Sequence, residues 1–259
     1  MTKANDLLQQ AKNEGTLSAQ SLGALTVVDL GAQIQAGLGI CPDDVAASEV
    51  VLVTLMPDDS GSIAAGKNAQ LVRDGHNQVV ESLCQSKQRD SILAHCRYLN
   101  GEVLYPYRAV AQAERMTTKN YAPALGTPLF DQTLVLLGTV VAKAQEFAAA
   151  GVQARTVTLI LTDGADAHST RASAKDVAAL VRDLARTEQH IVAAMGLDDG
   201  STDFRKVFRE MGLEDRWILT PAAGAGEIRR AFQVFSQSAV RATQGAAAFG
   251  GVALGGFGR

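Results

Sequence analysis

At 259 residues, with 47% hydrophobic and 20% charged residues and a net charge of −3, the chain is long enough to bury one sizeable core. That balance leaves no basic footprint for nucleic acid, and no run approaches the roughly 20 unbroken apolar residues of a membrane span. Residues 1–6 lack the charged-then-apolar layout of a secretory leader, and Cys41, Cys84 and Cys96 form an odd set without metal-like spacing, so reduced thiols and a cytoplasmic location are expected.

Three regions divide the chain: an N-terminal extension over 1–47, a main domain over 48–241 and a Gly/Ala-rich tail over 242–259. Asp6 to Ala24 alternates polar residues with Leu7, Leu8, Ala11, Leu17 and Leu22, which predicts one or two short helices broken at Gly15. Residues 27–39 are half apolar and punctuated by glycine, so helix and strand both stay open there. The extension reads either as a helical layer packed on the domain or as a docking element for a partner. Glu49–Met56 is a continuous apolar run, as a central strand covered on both faces requires. Asn68–Gln85 brings back Leu71, Val72, Val79, Val80 and Leu83 at helical spacing. Ser91–Leu99 and Glu102–Tyr105 flank Asn100-Gly101, a hairpin signal that places one antiparallel strand in the sheet.

A polar stretch, 111–124, leads to a helix that Asp131 is expected to cap and that runs to Ala150. Thr156–Thr162, Ile191–Leu197 and Arg216–Thr220 read as strands, and Ser173–Thr187, Asp203–Met211 and Glu227–Arg241 as helices. This alternation predicts an α/β domain, doubly wound, with a mostly parallel sheet and helices on both faces. Residues 244–259, with isolated Phe249 and Phe257, cannot build a core and read as a flexible tail or a short peptide that inserts into a neighbour.

The first strand empties directly into Asp58-Asp59-Ser60-Gly61-Ser62. Alternating oxygen ligands at a strand's carboxyl end are how an open α/β sheet presents a hard cation. Gly126-Thr127-Pro128-Leu129 adds a further hydroxyl, and Leu159-Ile160-Leu161-Thr162-Asp163-Gly164 is a second apolar strand ending in an acidic turn. Together these segments resemble the von Willebrand factor A (vWA) domain and its metal-ion-dependent adhesion site, written Asp-x-Ser-x-Ser, then a distant Thr, then a distant Asp. The resemblance covers about Glu49 to Arg241. It implies a Rossmann-like fold with an antiparallel edge strand, and it carries the metal-binding roles onto Asp58, Ser60, Ser62, Thr127 and Asp163. The implied ion is Mg2+, with Ca2+ or Mn2+ as alternatives, and the absence of His and Cys ligands argues against zinc.

Among the remaining polar residues, Asp59 is expected to point away from the ion, because successive side chains of extended backbone face opposite ways. Asp166 stabilises its loop or caps the helix that follows. His168 is either a surface residue or a base at the metal rim, His76 and His95 serve packing or the surface, and His190 occupies a turn before a strand. Gly37-Leu38-Gly39 and Gly224-Ala225-Gly226 read as turns rather than dinucleotide-binding loops. The resemblance extends to bacterial tellurium-resistance TerY-like proteins and to those acting with MoxR-type AAA+ ATPases. It implies a non-enzymatic intracellular adaptor that takes a Glu or Asp from a protein partner onto the bound ion. The alternatives are a metal-dependent phosphoester hydrolase and a structural subunit of a larger complex.

Overall fold

The computed structural model describes residues 2–26, 30–222 and 224–244. Strand β1 (Glu49–Pro57) is buried from Val50 onward, as its apolar run demands. The other strands are β2 (Ile92–Arg97), β3 (Val103–Ala109), β4 (Gln153–Thr162), β5 (His190–Gly196) and β6 (Ile218–Leu219). They form one sheet in the order β3-β2-β1-β4-β5-β6, parallel throughout except for the β2–β3 pair at one edge. β1 and β4 pair from Glu49↔Gln153 to Pro57↔Leu161, so both strands finish side by side. That register brings Asp58 beside Asp163, at the end of the sheet where open α/β folds bind ligands.

Alternate strand positions feed two cores, as the period of two requires. Val51, Val53 and Leu55 pack with α5 (Ala69–Cys84) and α9 (Ala225–Gln244). Met56 and Ile160 lie on the other side, with α6 (Leu129–Ala149), α7 (Ala174–Arg186) and α8 (Phe204–Glu210). Helices α5 and α9 approach closely at Gly75, where a Cβ would meet the Phe232 ring at 2.3 Å. Alanine there gains about 1 kcal/mol of helix propensity but overpacks a buried ring at about 1–3 kcal/mol. Gly75→Ala is therefore expected to lower the urea midpoint; an unchanged or raised midpoint would show that the two helices separate freely.

The N-terminal extension forms α1 (Lys3–Asn13), α2 (Ala19–Leu25) and α3 (Leu30–Gly37). These make a third layer over α6, which is buried almost all round. Three polar links hold the layer down. Asp183 on α7 accepts from Ser18 N at 2.7 Å and Ser21 Oγ at 2.6 Å. Lys143 on α6 has a fully buried side chain, donates to the Ile40 carbonyl and pairs with Glu146 at 2.6 Å, while Lys3 pairs with the same glutamate. Arg97 on β2 reaches the Gln33 carbonyl at 3.4 Å and the Gly101 carbonyl at 3.1 Å.

Several local expectations are corrected. The β2–β3 connection is residues 98–102 rather than a two-residue turn: Tyr98 N donates to Glu102 O, Gly101 N to Tyr98 O, and Gly101 takes φ +99. Asp131 does not cap its helix. Pro128 holds the cap position, and Asp131 accepts instead from the backbone N–H groups of Thr170, Arg171 and Ala172. His190 lies inside β5, buried, bonded to Thr156 Oγ1 at 2.8 Å. Gly224-Ala225-Gly226 opens α9 instead of forming a free turn, and α9 runs on to Gln244, beyond the point where the tail was expected to start. The rest of the tail lies outside the described residues. No single helix among the described residues is long and apolar enough to cross a membrane.

Candidate metal centre

Asp58 follows β1, Ser60 occupies the N-cap position of a short helix α4 (Gly61–Ala65), and Ser62 lies in its first turn. The two hydroxyls therefore converge through a strand-to-helix turn, not through extended backbone. Ser60 Oγ and Ser62 Oγ stand 2.8 Å apart. Ser62 Oγ donates to Asp163 Oδ1 at 2.6 Å, and Ser60 Oγ approaches the same oxygen at 3.5 Å. Neighbouring oxygens on an octahedral ion with 2.0–2.1 Å bonds are about 3 Å apart, so this spacing suits one small cation.

Asp58 is fully buried and held on both oxygens. Ser60 N donates to Oδ1 at 2.7 Å, while Thr162 Oγ1 at 2.7 Å and Asp163 N at 3.4 Å donate to Oδ2. Its carbonyl accepts from the Tyr121 hydroxyl. The metal-site motif includes neither Thr162 nor Tyr121. Thr162 precedes the acidic position directly and so faces the neighbouring strand end, which was a usable signal; Tyr121 is an aromatic in a polar loop, 63 residues away, and gave none.

Thr127 is 7% exposed and comes from the adjoining loop. That loop is fixed at two points. Gly61 N donates to Leu125 O at 2.9 Å, and Ser60 pairs with Leu125 in an isolated parallel bridge. Thr127 N donates to His168 Nδ1 at 2.8 Å, and Thr127 O accepts from Ala167 N and His168 N. Thus four of the expected residues meet through direct hydrogen bonds, and Thr127 sits on a loop tied to both flanks of that group. His168 is exposed, and its Nδ1 orients Thr127. Asp59 turns toward the hairpin, accepting from Asn100 N at 3.0 Å. Asp166 stabilises its own loop by accepting from Ser169 Oγ at 2.5 Å and, with Ser169, accepts from Phe130 N at the start of α6, so the helix it serves is the preceding one and not the following one.

The electrostatics are those of an uncompensated negative centre. Burial first, and then the neighbouring Asp58 charge, push Asp163 up to about 6 despite the serine hydrogen bonds. Burial likewise raises Asp59 to about 6, with Asp58 adding to the rise. Burial and the field of Asp58, Asp59 and Asp163 drive the Tyr121 phenol well above its usual range. Among the described residues none of the three carboxylates forms an ion pair. Buried charge without a partner is costly, and a dication among these oxygens relieves the cost. The residues present fit such an ion. No group of three or more His, Cys, Asp or Glu suited to a metal occurs among the described residues, so a cation here depends on the hydroxyls.

No family description and no curated protein sequence matches this chain. Solved structures of the same fold do. The pilus adhesin SpaC from Lactobacillus rhamnosus GG, in its open conformation, aligns with a TM-score of 0.55 at 12% identity, over 76% of this chain and 30% of that one. Proximal thread matrix protein 1 from the mussel byssus aligns at 0.52 and 16% identity, over 76% of this chain and 48% of that one. A structure of the same mussel protein with a zinc-occupied metal-ion-dependent adhesion site aligns at 0.51 and 16%, over 74% and 46%. The chain spans less than half the length of these structures, and at such identities the likeness is one of fold. The six-stranded sheet with its single antiparallel edge, wrapped by helices on both faces, is the vWA fold.

Proposed function

We propose that this chain is a cation-dependent protein-interaction module. Ser60, Ser62 and Thr127 would hold a divalent ion with Asp58 and Asp163 alongside, and a partner's Glu or Asp would complete the site. One observation carries the reading: buried carboxylates converge with two serine hydroxyls, and among the described residues no basic side chain balances them. A bound dication supplies an electrophilic point for a hard oxygen ligand. Asp58, with both oxygens held by internal donors, orients the site, and Ser62, in the exposed first turn of α4, leaves it open to solvent. Mg2+ is the favoured ion, with Ca2+ and Mn2+ next. The mussel protein carries zinc in its motif, so the lack of His and Cys is a weak argument against that ion.

The reading is non-enzymatic. His168 Nδ1 is engaged by Thr127 N, and among the described residues no Ser-His-Asp relay forms at the site, which favours binding over turnover. The resemblance to TerY-like and MoxR-associated proteins makes an AAA+ ATPase system, or its target, the first place to seek the partner.

Calorimetric titration with Mg2+, Mn2+ and Zn2+ tests the site. Wild type is expected to bind one ion. Asp163→Asn should weaken it about 100-fold or more, and Ser62→Ala about tenfold, with the fold retained. Asp163→Asn has a second consequence of opposite sign: it keeps a hydrogen-bond acceptor but removes an uncompensated charge. In EDTA at pH 7 it should therefore raise stability by about 1–2 kcal/mol, while losing the increment of about 2.7 kcal/mol that ion at 100 times its Kd gives wild type. Equal ion affinity in all three proteins would sink the proposal.

A further inference from the structure

Among the described residues Leu125 is the one large hydrophobic side chain that stands exposed, at 55%. A single exposed leucine is ordinary on a protein surface; its position is not. Its backbone pairs with Ser60, and its carbonyl accepts from Gly61 N. It is two residues from Thr127, so it stands on the rim of the proposed ion site. The exposed positions Ala122 and Ala124 of its own loop, and Ala64 and Ala65 of the α4 that follows Gly61, are small and apolar. Neither 60–66 nor 122–128 contains a Lys, Arg, Asp or Glu. The loop after β5, at the same end of the sheet as Asp163, carries the exposed Asp198 and Asp199.

We infer that the partner segment presents one acidic residue with an apolar side chain two positions away: the carboxylate on the ion, the apolar group on Leu125. This rests on the interaction reading above and names the chemistry of its partner. Paired backbones lie about 5 Å apart, and residues i and i+2 of an extended segment, about 7 Å apart, point the same way, so one short segment reaches both features. Segments 60–66 and 122–128 offer no basic side chain to a second carboxylate, and Asp198 and Asp199 oppose an acidic run. Residues 245–259 of this chain carry no Asp or Glu, so they do not supply the acidic side chain.

The test uses the full chain in Mg2+ and four capped synthetic peptides followed by NMR titration: a Leu-Ser-Glu-Ser-Leu core, the same with both Leu replaced by Ser, the same with Gln for Glu, and pentaglutamate. The Leu peptide should bind about tenfold more tightly than the Ser peptide, and the Gln peptide should not bind. Leu125→Ser should erase the tenfold preference while leaving calorimetric Mg2+ affinity unchanged. Equal binding of the Leu and Ser peptides, a preference that survives Leu125→Ser, or tighter binding of pentaglutamate overturns the inference while leaving the interaction reading intact. Absence of Glu-dependent binding at millimolar peptide, or of Mg2+ binding itself, overturns both. Mg2+-dependent self-association in sedimentation assigns the face to a second copy and overturns the inference as well.

Discussion

Deletion of residues 1–47 is expected to leave an aggregating or molten chain, not a trimmed domain. The segment buries Leu7, Leu8, Leu17, Leu25, Leu30, Ile34 and Leu38, each no more than 8% exposed. At about 1.5–3 kcal/mol per buried aliphatic side chain, the gross contribution is about 10–20 kcal/mol, against a typical net stability of about 5–15 kcal/mol. Ordering three helices offsets much of that gain, so the decisive term is what the deletion uncovers. Helix α6 is buried almost all round, and its Gly138 lies so close to Ile34 and Leu25 that a Cβ would meet both at 2.8 Å. Asp183 loses its two serine donors, Lys143 the Ile40 carbonyl and Arg97 the Gln33 carbonyl. Asp183 illustrates the stake. Burial would raise it, yet the hydrogen bonds from Ser21 and Ser18 hold it below the usual carboxylate range. Urea unfolding of 48–259, followed by circular dichroism and dye binding, is the measurement. A monomer that melts cooperatively within about 2 kcal/mol of the full chain would make the extension a detachable docking element. Lys143→Met supplies a milder arm: it keeps the volume but takes the donor from the Ile40 carbonyl and leaves Glu146 with Lys3 alone, and should be destabilising without unfolding the protein.

The catalogue of strands and the four converging site residues were legible because the signals are local. An unbroken apolar run such as Val50–Met56 has few alternatives to a central strand, and the oxygens that follow it are consecutive in sequence. What stayed hidden is set by distant pairing. His190 reads as a turn residue until the register Thr156↔His190 places it within the sheet. Asp131 has the composition of a cap, but its carboxylate is satisfied by a loop about 40 residues downstream. Lys143 looks like any helical lysine with a glutamate three residues on; only the Ile40 carbonyl and the overlying α1 explain its burial. The third layer had a partial signal, since Leu134–Ala142 offers no polar face to water, and a helix hydrophobic all round must be covered on every side.

Acidification from pH 7 to 5, in EDTA, is expected to lower stability by about 3 kcal/mol. Three histidines are held neutral by burial. His76, bonded to Tyr105 and Asn77 with the Arg115 charge nearby, is lowered to about 4; His95, beside Arg97, to about 3; His190, beside Thr156, to about 4. Each imidazole has an unfolded value of 6.5, so over this range the unfolded chain takes up protons that the folded one refuses. Their contribution is present above 6.5 and is lost as pH falls, by about 5–6 kcal/mol for the three together. Asp59 and Asp163 act in the opposite sense. Their folded values of about 6 exceed the unfolded 3.8, so the folded protein takes up those protons first and regains about 2–3 kcal/mol. Burial would raise Asp199, but the hydrogen bonds from Thr202 and Ser201 together outweigh it and lower it to about 2, so Asp199 and the likewise lowered Asp183 titrate below this window. Three imidazoles against two carboxylates leave acid destabilising. Urea midpoints at the two pH values measure the sum. His190→Asn, which preserves an acceptor or donor toward Thr156, isolates one member. Whatever its own cost at pH 7, it should shrink the loss between pH 7 and 5 by about 2 kcal/mol. A protein equally stable or more stable at pH 5 would mean that the carboxylate centre, not the buried histidines, governs how this fold responds to acid.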